Sequence, residues 1–195
     1  MTATRSSIVG LALVVGVLAS AGGSAQTMPT EKRPVRFSAF AVRMQGGMSG
    51  RIEVAIERWT PDEERQMLLG TLTAGFQQDA LLDALQHIKP RKGFLRTPDS
   101  LGWDIKYARE NPLPDGGRQI VIVTDKPVSF LALRSGSRTL DYPFTLLELR
   151  MPANGKGEGR MLAQTAIGVK NGRLELENYS TEPVRLMSIT EEKKR

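Results

Sequence analysis

His87 is the sole histidine and the chain has no cysteine. Sites built from several imidazoles, thiolate metal centres and thiol nucleophiles are therefore excluded at once. Asp79, Asp83 and His87 fall at i, i+4 and i+8, on one face of any helix formed there. Such a set could hold a metal or move a proton, but ordinary i,i+4 pairing on a solvated face is the simpler reading. Carboxylate pairs are the remaining route to catalysis. Asp99, Asp104, Asp125 and Asp141 stand at expected strand ends, where two acids facing each other across a cleft would suit glycoside-type hydrolysis. Aspartate also serves turns at such places, and that role is preferred. The chain carries no Gly-x-Ser-x-Gly elbow, phosphate-binding Gly-x-x-x-x-Gly-Lys or dinucleotide fingerprint. Gly155, Gly157 and Gly159 form a G-x-G-x-G run, but it joins two expected strands and leads into no helix that could hold phosphate, so it reads as a turn. No catalytic residue, metal ligand or cofactor is assigned.

Two groups are candidates for binding. Lys89, Arg91, Lys92 and Arg96 surround Phe94, and cations interleaved with an aromatic can grip single-stranded nucleic acid. Trp103 and Tyr107 lie two residues either side of Ile105; on one strand face they could line a cavity for a small apolar ligand, although core packing is the commoner fate of such residues.

The elements that would position these residues follow from periodicity. Residues 1–25 place Arg5, an 11-residue apolar run from Ile8 to Leu18 and a small-residue segment in the order of a cleaved secretory leader. The run is too short to span a membrane. Cleavage is expected near Ala25, giving a periplasmic or extracellular protein of 170 residues with net charge +5 and no transmembrane segment. Export makes nucleic acid an improbable partner and an anionic envelope component the better one for the basic cluster. Residues 26–34 read as a flexible start, 35–190 as one β-rich domain and 191–195 as a charged tail.

Within the domain, Val35, Phe37, Ala39 and Ala41 alternate, as do Ile52, Val54 and Ile56, which predicts two strands about a glycine turn. Thr60-Pro61-Asp62-Glu63 is a helix start, with Thr60 as cap and Trp59 placed to pack back on the first turns. Leu68, Leu69, Leu72 and Phe76 make one helical stripe; Leu81, Ala84, Leu85 and Ile88 make another before Pro90. A helical hairpin over about 61–88 results. Strands are then expected from Trp103 to Tyr107, over Ile120 to Val123 as a strand covered on both faces, and over Phe144 to Met151, Arg160 to Val169, Leu174 to Glu177 and Val184 to Ile189. Asn154-Gly155 and Asn171-Gly172 predict tight type I′ hairpins. The fold class is α+β, mainly antiparallel β: a bent sheet or partly closed barrel in meander order, with an inserted helical hairpin.

Trp59-Thr60-Pro61-Asp62-Glu63-Glu64-Arg65, Thr97-Pro98-Asp99-Ser100-Leu101-Gly102-Trp103-Asp104 and Pro112-Leu113-Pro114-Asp115-Gly116-Gly117-Arg118 resemble segments of an uncharacterised family of exported bacterial proteins. Asp141-Tyr142-Pro143-Phe144-Thr145-Leu146 and Glu177-Asn178-Tyr179-Ser180-Thr181-Glu182-Pro183-Val184 extend the resemblance over most of the domain. It implies domain boundaries and no activity. The leading expectation is a non-catalytic exported module that binds an apolar or amphipathic small molecule. The alternatives are a structural or interaction component of the cell envelope and, third, a hydrolase using the strand-end carboxylates. An apolar-lined pocket would favour the first, a filled core the second and converging carboxylates the third. The sequence leaves the oligomeric state open.

Overall fold

A computed structural model describes residues 32–43, 48–73, 78–98, 100–128, 143–170, 173–178 and 182–192. The expected leader, its cleavage site, Asp99, Asp141, Phe76 and the Asn171-Gly172 turn lie outside them. Nine strands and two helices follow in the order β1 (Val35–Arg43), β2 (Met48–Ile56), α1 (Asp62–Thr73), α2 (Gln78–His87), β3 (Gly93–Arg96), β4 (Trp103–Pro112), β5 (Arg118–Thr124), β6 (Phe144–Met151), β7 (Gly157–Lys170), β8 (Arg173–Asn178) and β9 (Val184–Glu191).

All pairings are antiparallel, in the spatial order β6-β5-β4-β3-β2-β1-β9-β7-β8, and β6 also pairs with β7. Eight strands therefore close into a barrel, with β8 as an extra strand outside the ring. β7 makes the closure. Its first half lies between β9 and β6, with Arg160 opposite both Arg185 and Glu148; its second half, Thr165–Lys170, pairs with β8. On β9, Ser188 takes a φ of 53° at the place where the registers against β1 and β7 both skip a residue. Such a bulge bends the strand and raises its twist, as closure requires.

An eight-stranded barrel is just wide enough for side chains to fill, and this one is filled. Phe37, Ile52, Val54, Leu95, Ile105, Ile120, Ile122, Leu147, Leu149, Met161, Leu186 and Ile189 form one buried cluster drawn from every strand of the ring. One end is closed by Lys32, Glu110, Arg118 and Glu191: Lys32 Nζ reaches Glu110 Oε1 at 3.2 Å, and Arg118 pairs with Glu110 and Glu191 above the Phe37 ring. Towards the other end, Thr124 and Thr145 are fully buried and bonded to each other and to the 126–128 backbone.

A second cluster lies outside the ring. Leu68, Leu81, Leu85 and Ile88 of the helical hairpin pack on Val123, Phe144, Leu146, Leu162 and Ile167. This explains the continuous apolar run in β5: Ile120 and Ile122 face the interior, and Val123 faces the helices.

Several local expectations need correction. The basic segment around Phe94 carries a strand, β3, whose Leu95 is fully buried and pairs opposite Val54 and Trp103. Thr60 is not a free helix cap. Its amide donates to the Ala108 carbonyl at 2.9 Å and its hydroxyl accepts from the Ala108 amide at 3.0 Å, extending the short β3 edge along β4. The first intrahelical bond is accepted by the Pro61 carbonyl, from the Arg65 amide. Trp59 packs on the barrel cluster and donates its indole N–H to the Arg33 carbonyl, and so ties down the segment before β1. The β6–β7 connection spans residues 152–156, and there only Gly155 has a positive φ (98°), so it is not a two-residue type I′ turn.

Candidate functional site

The site begins with a change of parity in β4. The register against β5 shifts between Ile105 and Tyr107, and a bulge puts residues on either side of it out of step. Trp103 consequently packs on the barrel interior cluster and Tyr107 on the outer cluster beneath the helices. The two aromatics do not share a face, contrary to the alternation of the sequence.

Tyr107 lines an apolar groove of about 150 Å³ between the hairpin and the barrel wall. α1 contributes Leu68, Leu69 and Leu72, α2 contributes Leu81 and Leu85, and the wall is Val121, Val123, Leu146 and Ile167. Helices rest on a twisted sheet through a few large side chains, and where the two surfaces diverge the groove stays open. Leu69 keeps 40% of its surface exposed there.

One edge of the groove is polar. Arg65, on the first turn of α1, lines it together with the Tyr107 phenol. Burial pushes the Tyr107 pKa up, against the lowering fields of Arg65 and Arg109, so the phenol is neutral and carries its proton at ordinary pH. The neighbouring charges are matched: Arg109 holds Asp62 at 2.6 Å, and the buried Lys92 holds Glu64 at 2.7 Å. Among the described residues no carboxylate forms an ion pair with Arg65.

The basic cluster is mostly neutralised in place. Arg91 pairs with Asp104 at 2.9 Å and with Glu57, Arg96 pairs with Glu53, and Lys92 is turned inward to Glu64. Lys89 is exposed. Phe94 carries the guanidinium groups of Arg36, Arg91 and Arg96, each 5.5 Å from its ring centre. Cations and carboxylates thus alternate over β1 to β4.

The acids do not converge among the described residues. Asp104 is held by Arg91, and the buried Asp125 lies 3.8 Å from Lys106. Asp83 and His87 form an exposed i,i+4 contact at 3.4 Å, and no cluster of three or more potential metal ligands occurs among the described residues. Glu148, on β6, is a second buried carboxylate. Burial opposes its ionisation, but hydrogen bonds from Gln119 and Arg160, with the fields of Arg160 and Arg150, outweigh that and hold its pKa below the usual range. A carboxylate so restrained is a structural anion.

Arg65 was missed by the sequence reading, although a sign of it was present. It stands three and four residues before Leu68 and Leu69, so it continues the apolar stripe of α1 as a cation. Comparison with known proteins adds no family to this geometry: no family model, curated protein or solved structure matches the chain.

Proposed function

We propose that this protein is an exported, non-catalytic binding module whose ligand is a small apolar or amphipathic molecule held in the groove between the helical hairpin and the barrel. The observation that carries the reading is the contrast between a barrel interior packed with side chains and an open groove lined by leucines, valines and isoleucine outside it. Small-molecule pockets are concave, mostly apolar and furnished with a few polar groups. The groove lies on the outer wall of the barrel, beneath the helical hairpin. Export rests on the order of residues in the leader.

The test is native mass spectrometry of protein purified from its own host without detergent, followed by solvent extraction. A small lipophilic molecule should co-purify, and the mature chain should begin near Gln26. Protein that is ligand-free, and to which small amphiphiles added in solution do not bind, would end the proposal. The filled interior favours a second reading, a structural or interaction component of the envelope. Crosslinking in cells should then trap one dominant partner.

A further inference from the structure

The groove is small. Ordinary ligand pockets start at roughly 300 Å³, and an apolar space of about 150 Å³ holds roughly a benzene-sized group. A ligand of any greater length must leave part of itself at the groove's edge, so that edge decides what kind of molecule is accepted.

At that edge stand Arg65 and Tyr107, with the Arg109–Asp62 ion pair near enough to act on the Tyr107 phenol. Arg109 and Asp62 cancel, and among the described residues Arg65 is the cation of the groove lining with no carboxylate paired to it. Glu64 is committed to Lys92, and Glu63, two positions before Arg65, faces elsewhere on the helix. A guanidinium has five N–H donors in a planar fork, enough to hold a carboxylate through two of them. The Tyr107 hydroxyl can donate a further bond to the same head. An ammonium head would meet an uncompensated like charge, and a neutral alcohol would use only part of the donor set.

Building on the groove reading above, we infer that the site selects amphiphiles with an anionic head, the tail lying among Leu68, Leu72, Val123 and Ile167 and a carboxylate held by Arg65 and Tyr107. A medium-chain carboxylate is the simplest member of that class.

The experiment titrates the isotope-labelled mature chain with sodium octanoate, 1-octanol and octylammonium, each below its aggregation concentration, and reads amide shifts. Octanoate should bind about tenfold tighter than octanol, the scale of a charge-assisted hydrogen bond at a partly exposed site, and octylammonium weakest. Arg65→Gln should erase the preference for octanoate while leaving octanol affinity unchanged, and Arg65→Lys should restore part of it. A well-dispersed spectrum shows that each variant is folded. Equal affinity for octanoate and octanol, or a preference untouched by Arg65→Gln, would overturn the head-group inference and leave the groove standing. No shift at groove residues with any of the three probes would overturn both.

Discussion

Replacing Gly159 by alanine tests the closure on which the outer wall of the groove depends. A Cβ at Gly159 would lie 2.3 Å from the carbonyl oxygen of Glu148 and 3.2 Å from Leu149 Cα, against the 3.4 Å at which ordinary contact begins. Both atoms belong to the β6 backbone, held on its far side by β5, so β6 and β7 must separate by about 1 Å or the pairing must break. Overpacking of a well-packed site costs roughly 1–3 kcal/mol, and a clash with a laddered backbone belongs at the upper end, about 3 kcal/mol. That is a large part of the roughly 5–15 kcal/mol that stabilises a domain. Gly155→Ala meets nothing within 4 Å and has only its φ of 98° against it, which costs about 1 kcal/mol. Gly70→Ala, in the middle of α1 with open space around it, should gain about 1 kcal/mol. Urea denaturation followed by tryptophan fluorescence gives all three from midpoints at constant slope. A Gly159→Ala protein as stable as Gly155→Ala would refute the reasoning, because the clash and the barrel closure that causes it would then be absent.

Further expectations concern charge. The pKa of Glu148 is lowered from 4.5 in the fold, so the unfolded chain binds more protons around that pH; this part of the stability is complete above 4.5 and is lost as pH falls through the folded value. Glu148→Gln should flatten the acid limb of the stability profile, and an unchanged slope would count against the pairing with Gln119 and Arg160. Tyr107 has the opposite sign. Its pKa is raised above 10.0, so its contribution is present below that pH and fades as pH rises through the folded value; Tyr107→Phe should remove that alkaline loss in urea titrations. Lys92→Met leaves the Glu64 carboxylate enclosed without its cation and should cost about 3 kcal/mol, whereas Lys92→Met with Glu64→Leu should recover most of it. Equal losses in the single and double variants would mean that the pair does not act as a unit.

The elements legible in the sequence were those with a clean period. Leu68, Leu72, Leu81, Leu85 and Ile88 marked the hairpin, and Ile120 to Val123 announced a strand covered on both sides. The meander order followed from the run of strands and turns. What stayed hidden were departures from period. β3 lay hidden in the basic cluster, where Leu95 faces the core and Arg91, Lys92 and Arg96 each pair with a carboxylate on another element. The β4 bulge separated Trp103 from Tyr107, and no composition encodes a single extra residue. Gly157 and Gly159 looked like turn residues but lie within β7, where a Cβ would strike β6. The candidate site was half visible: its apolar floor is the helical stripe, whereas its polar edge needs the tertiary contact between Arg65 and Tyr107.

The most direct measurement is a set of intermolecular nuclear Overhauser contacts from the methyl end of bound octanoate to methyl-labelled protein. Contacts to Leu68, Leu72, Val123 and Ile167 are expected, with none to Leu147, Ile105 or Ile122 inside the barrel. Contacts to those interior residues, or octanoate bound elsewhere on the surface, would contradict the groove as the binding site.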